Sequence, residues 1–379
     1  MFEAAAVCVA TGMLSYMLWR LSQAENMTLP SGQPLFGDFI AFWSAGRAAL
    51  DGQIEHIHER AMLWDYQRLA APDARFYAPW NSPPTFLIVA CVLALAPYPA
   101  AAIGFFVVTA LLFGFALRDL LPDRRALLFP ATAPAVLYQA GSVQAGLLIG
   151  GIAGLALHWL DRRPRLAGAL IGLLAIKPHL ALLWPLLLGL SGRWRVFAAA
   201  AASAIAFVTI AGIAFGFDAY IRFFESLAAS QQLISEQRIS TPAYASLYAS
   251  LLGLGAPHSV AMALHFFSAG VGVVLACRLF AKAELATAGA ALCATTLLIS
   301  PYLFFYDFTL LLVGAAMLGV PRTRLDLTAA ILAWSTGLTV VVGGYIALPL
   351  CPLAAWAVLA AALRRSESAA PRPAPAPQP

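Results

Sequence analysis

Apolar runs of about 17–25 residues, separated by short polar clusters, recur along nearly the whole chain. This spacing predicts helices long enough to cross a lipid bilayer. The runs fall near 2–21, 83–97, 100–117, 126–140, 144–160, 166–190, 196–216, 258–280, 285–300, 303–320, 327–346 and 347–363. Lys177-Pro178 and Pro185 interrupt the run 166–190, which reads as one kinked helix or as a re-entrant pair. An all-α polytopic membrane protein of about 11–13 spans is expected, and the alternation of a membrane β-barrel is absent.

Two polar stretches interrupt the pattern, 22–82 and 217–257. In the first, Phe39, Trp43, Gly46 and Leu50 recur at helical spacing while Ser44, Arg47 and Asp51 fall elsewhere, and Gly52 supplies a stop. A second short helix is expected over 61–69, carrying Met62, Trp64, Tyr66 and Leu69. Aromatic amphipathic helices favour the water–lipid boundary, so both are expected to lie there. Tyr77-Ala78-Pro79-Trp80-Asn81-Ser82-Pro83-Pro84 reads as a rigid, extended return into the apolar region. The second stretch repeats the aromatic pattern with Tyr220, Phe223, Phe224, Tyr244 and Tyr248. Residues 1–365 read as one integral membrane domain, and 366–379 as a disordered Ala/Pro-rich tail.

Composition agrees: 61% of residues are hydrophobic and 11% charged, against about 25% charged in soluble domains. The net charge of +5 is scattered over short loops, which marks topology rather than nucleic-acid binding. Arg162-Arg163-Pro164-Arg165, Arg193-Trp194-Arg195, Arg278 with Lys282, Arg322 with Arg324, and Arg364-Arg365 are expected on the cytoplasmic side. That places 22–82, 141–144, the Lys177 kink, 217–257 and 301–307 on the opposite side. Arg118, Arg124 and Arg125 conflict with this scheme if 83–97 and 100–117 both cross. Either 83–117 is one broken span or that cluster is an exception. The run 2–21 lacks a charged leader and a small-residue cleavage site, so it reads as a retained span. Cys8, Cys91, Cys277, Cys293 and Cys351 all sit in apolar runs without metal or redox spacing.

Several motifs occur together in order. They are Gly37-Asp38-Phe39 followed by Phe42-Trp43-Ser44-Ala45-Gly46-Arg47, then Ser82-Pro83-Pro84-Thr85-Phe86 with Ala96-Pro97-Tyr98. Next come 168–178, ending in Lys177-Pro178, then Gly192-Arg193-Trp194-Arg195, and finally Ser300-Pro301-Tyr302 with Tyr306-Asp307. From Gly37 to Asp307 the chain resembles glycosyltransferase family 87 of the GT-C superfamily, which includes polyprenol-phosphate-mannose-dependent α-mannosyltransferases. Two positions depart from the family's usual pattern: Gly141-Ser142-Val143-Gln144 replaces Gly-Gln-Asn, and Lys177-Pro178-His179 replaces Lys-Pro-Gln. The resemblance implies a GT-C-like bundle with juxtamembrane helices in its first external loop. It also implies a polyprenyl-phosphate sugar donor, with mannose the sugar of characterised relatives. The acceptor would be a glycolipid or glycan hydroxyl. The implied setting is a bacterial inner membrane, with the site facing the periplasm or exterior. Membrane lipid is a partner and nucleic acid is not.

Such a reaction needs a carboxylate to take the acceptor's proton, cations for the departing phosphate, and an apolar groove for the carrier. The resemblance makes Asp38 the catalytic base and inversion the stereochemical course; N-capping of the following helix is the competing use of an aspartate there. A lysine within an apolar run costs about 2.5–3.5 kcal/mol on insertion scales, so Lys177 is a candidate for the donor phosphate. Snorkelling to the kink is its alternative. His179 joins it as a phosphate candidate, as do Arg238 and Arg222 of the second polar stretch, for both of which a solvated surface charge is the competing reading. Gln139, Gln144, Tyr306 and Asp307 are candidates for the sugar or acceptor, and Asp307 is also a possible partner of Lys177. Asp51 reads as a helix-end residue paired with Arg47. His56 and His58 diverge on a helix, so no metal set is read and no cofactor is required. A transporter or flippase of lipid-linked sugars is the alternative function, although paired broken helices in two related halves are not evident. A lipid-linked-sugar polymerase or ligase would concentrate function in a late loop instead.

Overall fold

The computed structural model describes residues 2–235, 245–338 and 350–369, and within them the chain is helical. Helix α1 (Phe2–Ser22) precedes two short helices of the first polar stretch, α2 (Phe39–Leu50) and α3 (Arg60–Ala70), and the short apolar α4 (Pro84–Ala94). Then follow α5 (Tyr98–Arg118), α6 (Leu128–Ala131), α7 (Pro134–Ser142), α8 (Gly146–Trp159), α9 (Pro164–Leu173), α10 (Trp184–Leu190) and α11 (Trp194–Phe215). The second polar stretch holds α12 (Asp218–Ser235) and α13 (Leu247–Gly253). The chain continues through α14 (His258–Lys282), α15 (Leu285–Ile299), α16 (Thr309–Leu318), α17 (Arg324–Ser335) and α18 (Leu350–Ala369). Among these, α5, α11 and α14 are each long and apolar enough to cross a membrane. The chain is a polytopic membrane protein.

Proline and glycine set many of the breaks. Pro134 follows an extended Ala133 and divides the expected run 126–140 into α6 and α7. Lys177 is extended before Pro178, so the run 166–190 becomes α9, two 3₁₀ turns and α10. Gly319, at a φ of +65°, ends α16. Gly168 and Gly172, four residues apart, let α9 lie against the α11 backbone, where Ser203 Oγ donates to the Ala169 carbonyl at 2.9 Å.

Contacts sort the connections into two ends. At one, Thr85 Oγ1 donates to the Ala175 carbonyl (2.8 Å), Lys177 pairs with Asp307, and Ser246 Oγ donates to the Pro301 carbonyl (2.5 Å). At the other, Arg193 pairs with Asp161 (2.9 Å), His158 approaches Asp119 beside Arg118 (3.7 Å), and Arg365 pairs with Asp326 (2.9 Å). The polar stretches and the arginine clusters therefore gather at opposite ends, as the charge pattern expects.

Helix α4 resolves the conflict at Arg118. It has 11 residues, about 17 Å of helix, against the ~30 Å of a bilayer core. It packs on α2, whose Gly46 leaves no room for a Cβ beside the Ala90 carbonyl. Trp43 Nε1 then donates to the Ala96 carbonyl at 2.9 Å, and the Tyr98 ring meets Phe36 edge-on and Phe39 at a tilt. Segment 83–97 thus begins and finishes at the Asp38 end, and α5 alone carries the chain to Arg118.

Three expectations need correction. Helix α2 does not float at the interface: it is buried almost all round, Ser44 included, and exposes Arg47 and Leu50. The expected apolar face fails because α4 and a cluster formed by Phe39, Phe42, Trp80, Phe86 and Phe105 enclose the helix. Helix α3 does show two faces, but Leu63, Gln67 and Ala70 form the buried one and Leu69 is exposed. Helix α18 extends into the expected tail as far as Ala369, with Ser368 Oγ bonded to the Arg364 carbonyl (2.9 Å); 370–379 lie outside the described residues.

Candidate functional site

Gly37 and Asp38 open α2 against the end of α7. Gly37 has a φ of +53°, and a Cβ there would stand 3.2 Å from Ser142 Cα, so both the backbone and the packing favour glycine. Asp38 is itself in helical conformation and its side chain makes no cap bond to α2. Capping therefore does not account for it. Its Oδ2 instead accepts a hydrogen bond from Gln144 Nε2 at 2.9 Å. The side chain is solvent-accessible, yet the surrounding protein desolvates it. That combination describes a recess. Lost hydration pushes the Asp38 carboxyl above the usual carboxylate range, against the opposing effect of the Gln144 hydrogen bond.

The turn from α7 to α8 supplies Gln144. It passes through Val143, buried and left-handed at φ +42° and ψ +58°, an uncommon conformation for a β-branched residue. The turn is held from both sides. Val143 N–H bonds the Gln139 carbonyl (2.8 Å), and Gln139 Oε1 accepts from the Leu147 N–H (3.2 Å). Gln139 is fully buried and its Nε2 has no partner among the described residues, so it braces the turn rather than facing the recess. Gly146 lies against the Tyr306 carbonyl, where a side chain would collide, and Thr309 Oγ1 donates to the Gly146 carbonyl at 2.7 Å.

Those contacts join Asp38 to a second group. The break at Pro178 turns Lys177 toward Asp307, and the two form a salt bridge in which the Asp307 side chain is fully buried. Asp307 Oδ2 also accepts from the Phe304 N–H at 3.3 Å. Lys177 Nζ stands 4.7 Å from the centre of the Tyr306 ring. That ring stacks on Phe304 (5.1 Å), and Phe305 meets Tyr138 edge-on (4.5 Å). His179 lies within reach of both charges, with its Nε2 buried and unpartnered among the described residues. Asp38, Gln139, Gln144, Lys177, His179, Tyr306 and Asp307 thus form one connected region; Arg238 lies outside the described residues.

Arg20, in the last turn of α1, was not among the sequence candidates. Its Nη1 comes within 3.0 Å of where a Cβ on Gly141 would stand, across the 141–142 backbone from Gly37. Tyr138 feels the charges of both Arg20 and Asp38. Arg20 has no carboxylate partner among the described residues. The signal was present: an arginine closing a long apolar run at the end opposite the basic clusters.

The remaining candidates are accounted for locally. Asp51 pairs with Arg47 (3.3 Å) and accepts from Tyr66 Oη (3.2 Å). His56 pairs with Glu59 at 2.8 Å. Arg222 of α12 lies close enough to His56 and His58 for its charge to act on them, so α12 folds over the first polar stretch.

The model of glycosyltransferase family 87 matches residues 80–301. Gln139, Gln144, Lys177 and His179 fall inside the match, while Asp38, Tyr306 and Asp307 lie outside it, a narrower span than the motifs suggested. No curated protein and no solved structure matches the chain.

Proposed function

Because the chain belongs to glycosyltransferase family 87, we propose that this membrane glycosyltransferase takes its sugar from a polyprenyl-phosphate donor and works at the Asp38 end of the bundle. The observation that supports this reading is Asp38 itself: an accessible carboxylate with no cap bond or salt bridge among the described residues, oriented by one amide. Its raised pKa makes it a stronger base once ionised. An acceptor hydroxyl gives its proton to Asp38 Oδ, and its oxygen attacks the anomeric carbon. The bond from that carbon to the donor phosphate breaks, and the electron pair leaves with the phosphate. Direct displacement inverts the anomeric centre, giving an α-glycoside from a β-linked donor.

The sequence favours Lys177 for the phosphate. In the fold, the buried Asp307 offsets the charge of Lys177. Arg20 has no carboxylate partner among the described residues and carries the larger share of phosphate attraction in this proposal. Lys177 and His179 provide N–H donors on the far side of Tyr306, and Gln144 fixes the base. The positive-inside rule places the arginine end in the cytoplasm, so the reaction faces the periplasm or exterior.

The test incubates membranes carrying the protein with labelled polyprenyl-phosphate mannose, glucose or arabinose and follows label into lipid and glycan. Transfer from one of these carriers, abolished in Asp38→Asn at unchanged protein level, is the expected result. Transfer from a soluble nucleotide sugar with no use of any carrier would overturn both the donor and the orientation.

A further inference from the structure

The opposite end of the bundle holds a crevice of about 410 Å³ where α9 and α11 begin, lined by Arg163, Pro164, Arg165, Leu166 and Arg195. Its charge has almost no counterweight. Between Asp123 and Asp218 the sequence carries one carboxylate, Asp161. Arg193 takes both Asp161 oxygens, at 2.9 and 3.3 Å. Arg162 Nη1 lies against His158 (3.4 Å), and Arg163 rests on the Trp159 ring (5.6 Å). Among the described residues, Arg163, Arg165 and Arg195 have no carboxylate partner, and all three are exposed.

The surface beside them is apolar. Leu166, Leu190 and Trp194 are exposed at 39%, 45% and 63%. From Trp194 onward α11 turns most of its surface outward, with Ile205, Ile210 and Ile213 exposed along it. A ligand matching both features carries a negative head and an apolar tail lying parallel to α11.

We infer that this crevice binds an anionic phospholipid, its phosphate held between Arg163, Arg165 and Arg195 and its acyl chains laid along α11. A guanidinium fork suits a phosphate better than an ammonium does, and arginine supplies each of the three cations here. The proposal is independent of the transfer reaction and of the sugar donor.

The full chain, purified in mild detergent and given phosphatidylglycerol or phosphatidylcholine, is examined by native mass spectrometry for retained lipid. Phosphatidylglycerol is retained by the wild type and reduced at least about tenfold in Arg163→Gln/Arg165→Gln/Arg195→Gln. The exposed pair Arg322→Gln/Arg324→Gln, at the same end, serves as the charge control and keeps its lipid. Equal retention by the triple variant, equal loss in the control pair, or equal retention of phosphatidylcholine would each overturn the site. Inorganic phosphate is the second arm. If it raises the melting temperature of the wild type as much as phosphatidylglycerol does, the crevice takes free anions and the lipid assignment falls. Arg195→Gln alone, with a smaller loss of the same sign, supports the proposal should the triple variant not be recovered as a monodisperse protein.

Discussion

Lys177 and Arg165 belong to the same broken segment, and the fold treats their charges in opposite ways. Lys177 meets an aspartate drawn from far along the chain, and the pair is enclosed with Tyr306. Arg165 stays exposed beside Arg163 and Arg195, in a region whose single carboxylate already serves Arg193. Around Asp38, the charges of Asp38, Lys177 and Asp307 are each held by a defined partner in partly desolvated surroundings. The arginine end carries many, largely uncompensated and in contact with solvent. Desolvation gives the first arrangement its chemical leverage: a carboxylate in a recess gains basicity, and a cation there gains attraction for phosphate. Exposure suits the second to topology and to lipid headgroups, where long-range attraction suffices.

The contrast breaks first at Asp38. Asp38→Asn is expected to lower sugar transfer by about 10²–10⁴-fold, the usual contribution of a general base, in the labelled-donor assay. Its thermal stability should not fall. A carboxyl whose pKa is raised by folding burdens the folded state while ionised, above its unfolded pKa, and the neutral amide removes that burden. Near wild-type turnover in this variant would leave the two ends chemically equivalent.

Next comes the buried pair. Lys177→Ala leaves Asp307 enclosed without its cation, which costs about 3–5 kcal/mol. Unfolding in mixed micelles measures it, and Lys177→Met/Asp307→Leu should recover most of the loss. If the single variant melts like the wild type, the pair is not desolvated as described.

Among the described residues Arg20 has no carboxylate partner, and the donor is its proposed partner. Arg20→Gln should raise the donor KM about tenfold or more, the usual effect of losing a charge-assisted hydrogen bond, with the acceptor KM little changed. Arg20→Lys should restore part of it. An unchanged donor KM would return the phosphate to Lys177 and His179.

The smallest effect sharpens the account of Asp38. Activity needs the ionised carboxylate, so it falls as pH drops through a pKa above that of an ordinary aspartate. Gln144→Leu removes the hydrogen bond that holds this pKa down, and the acid limb of the pH–rate profile moves to higher pH. A shift to lower pH would mean that the amide does not hold the ionised form.

Much of the architecture was legible in the chain. The apolar runs located the helices because crossing a bilayer demands length and uniform hydrophobicity. Arginine clusters separated the two ends because each turn joins helices at one end or the other. Lys177-Pro178 announced its break, since a residue before proline leaves the helical region. Pairing was less legible. Asp307 was one of two readings for Lys177, and only the salt bridge between the break at 177–178 and the turn at 304–307 selected it. The face of α2 was misjudged because helical periodicity assumes one wet side, and the packed bundle buries Ser44 on the side expected to be wet. Arg20 passed unnoticed because its relevance depends on α1 packing against Gly141, a contact without a local sequence signature.

Periodicity, charge placement and proline spacing alone determined that this chain is a helical membrane bundle with its polar stretches at one end and its short-loop arginine clusters at the other, since those properties depend on local free energies of transfer to lipid. Tertiary structure decided which polar groups meet: Gln144 on Asp38, Asp307 on Lys177, and Arg20 across the 141–142 backbone from Gly37. Such meetings join residues distant in sequence, and burial, which sets the strength of each charge, exists only once the helices have packed.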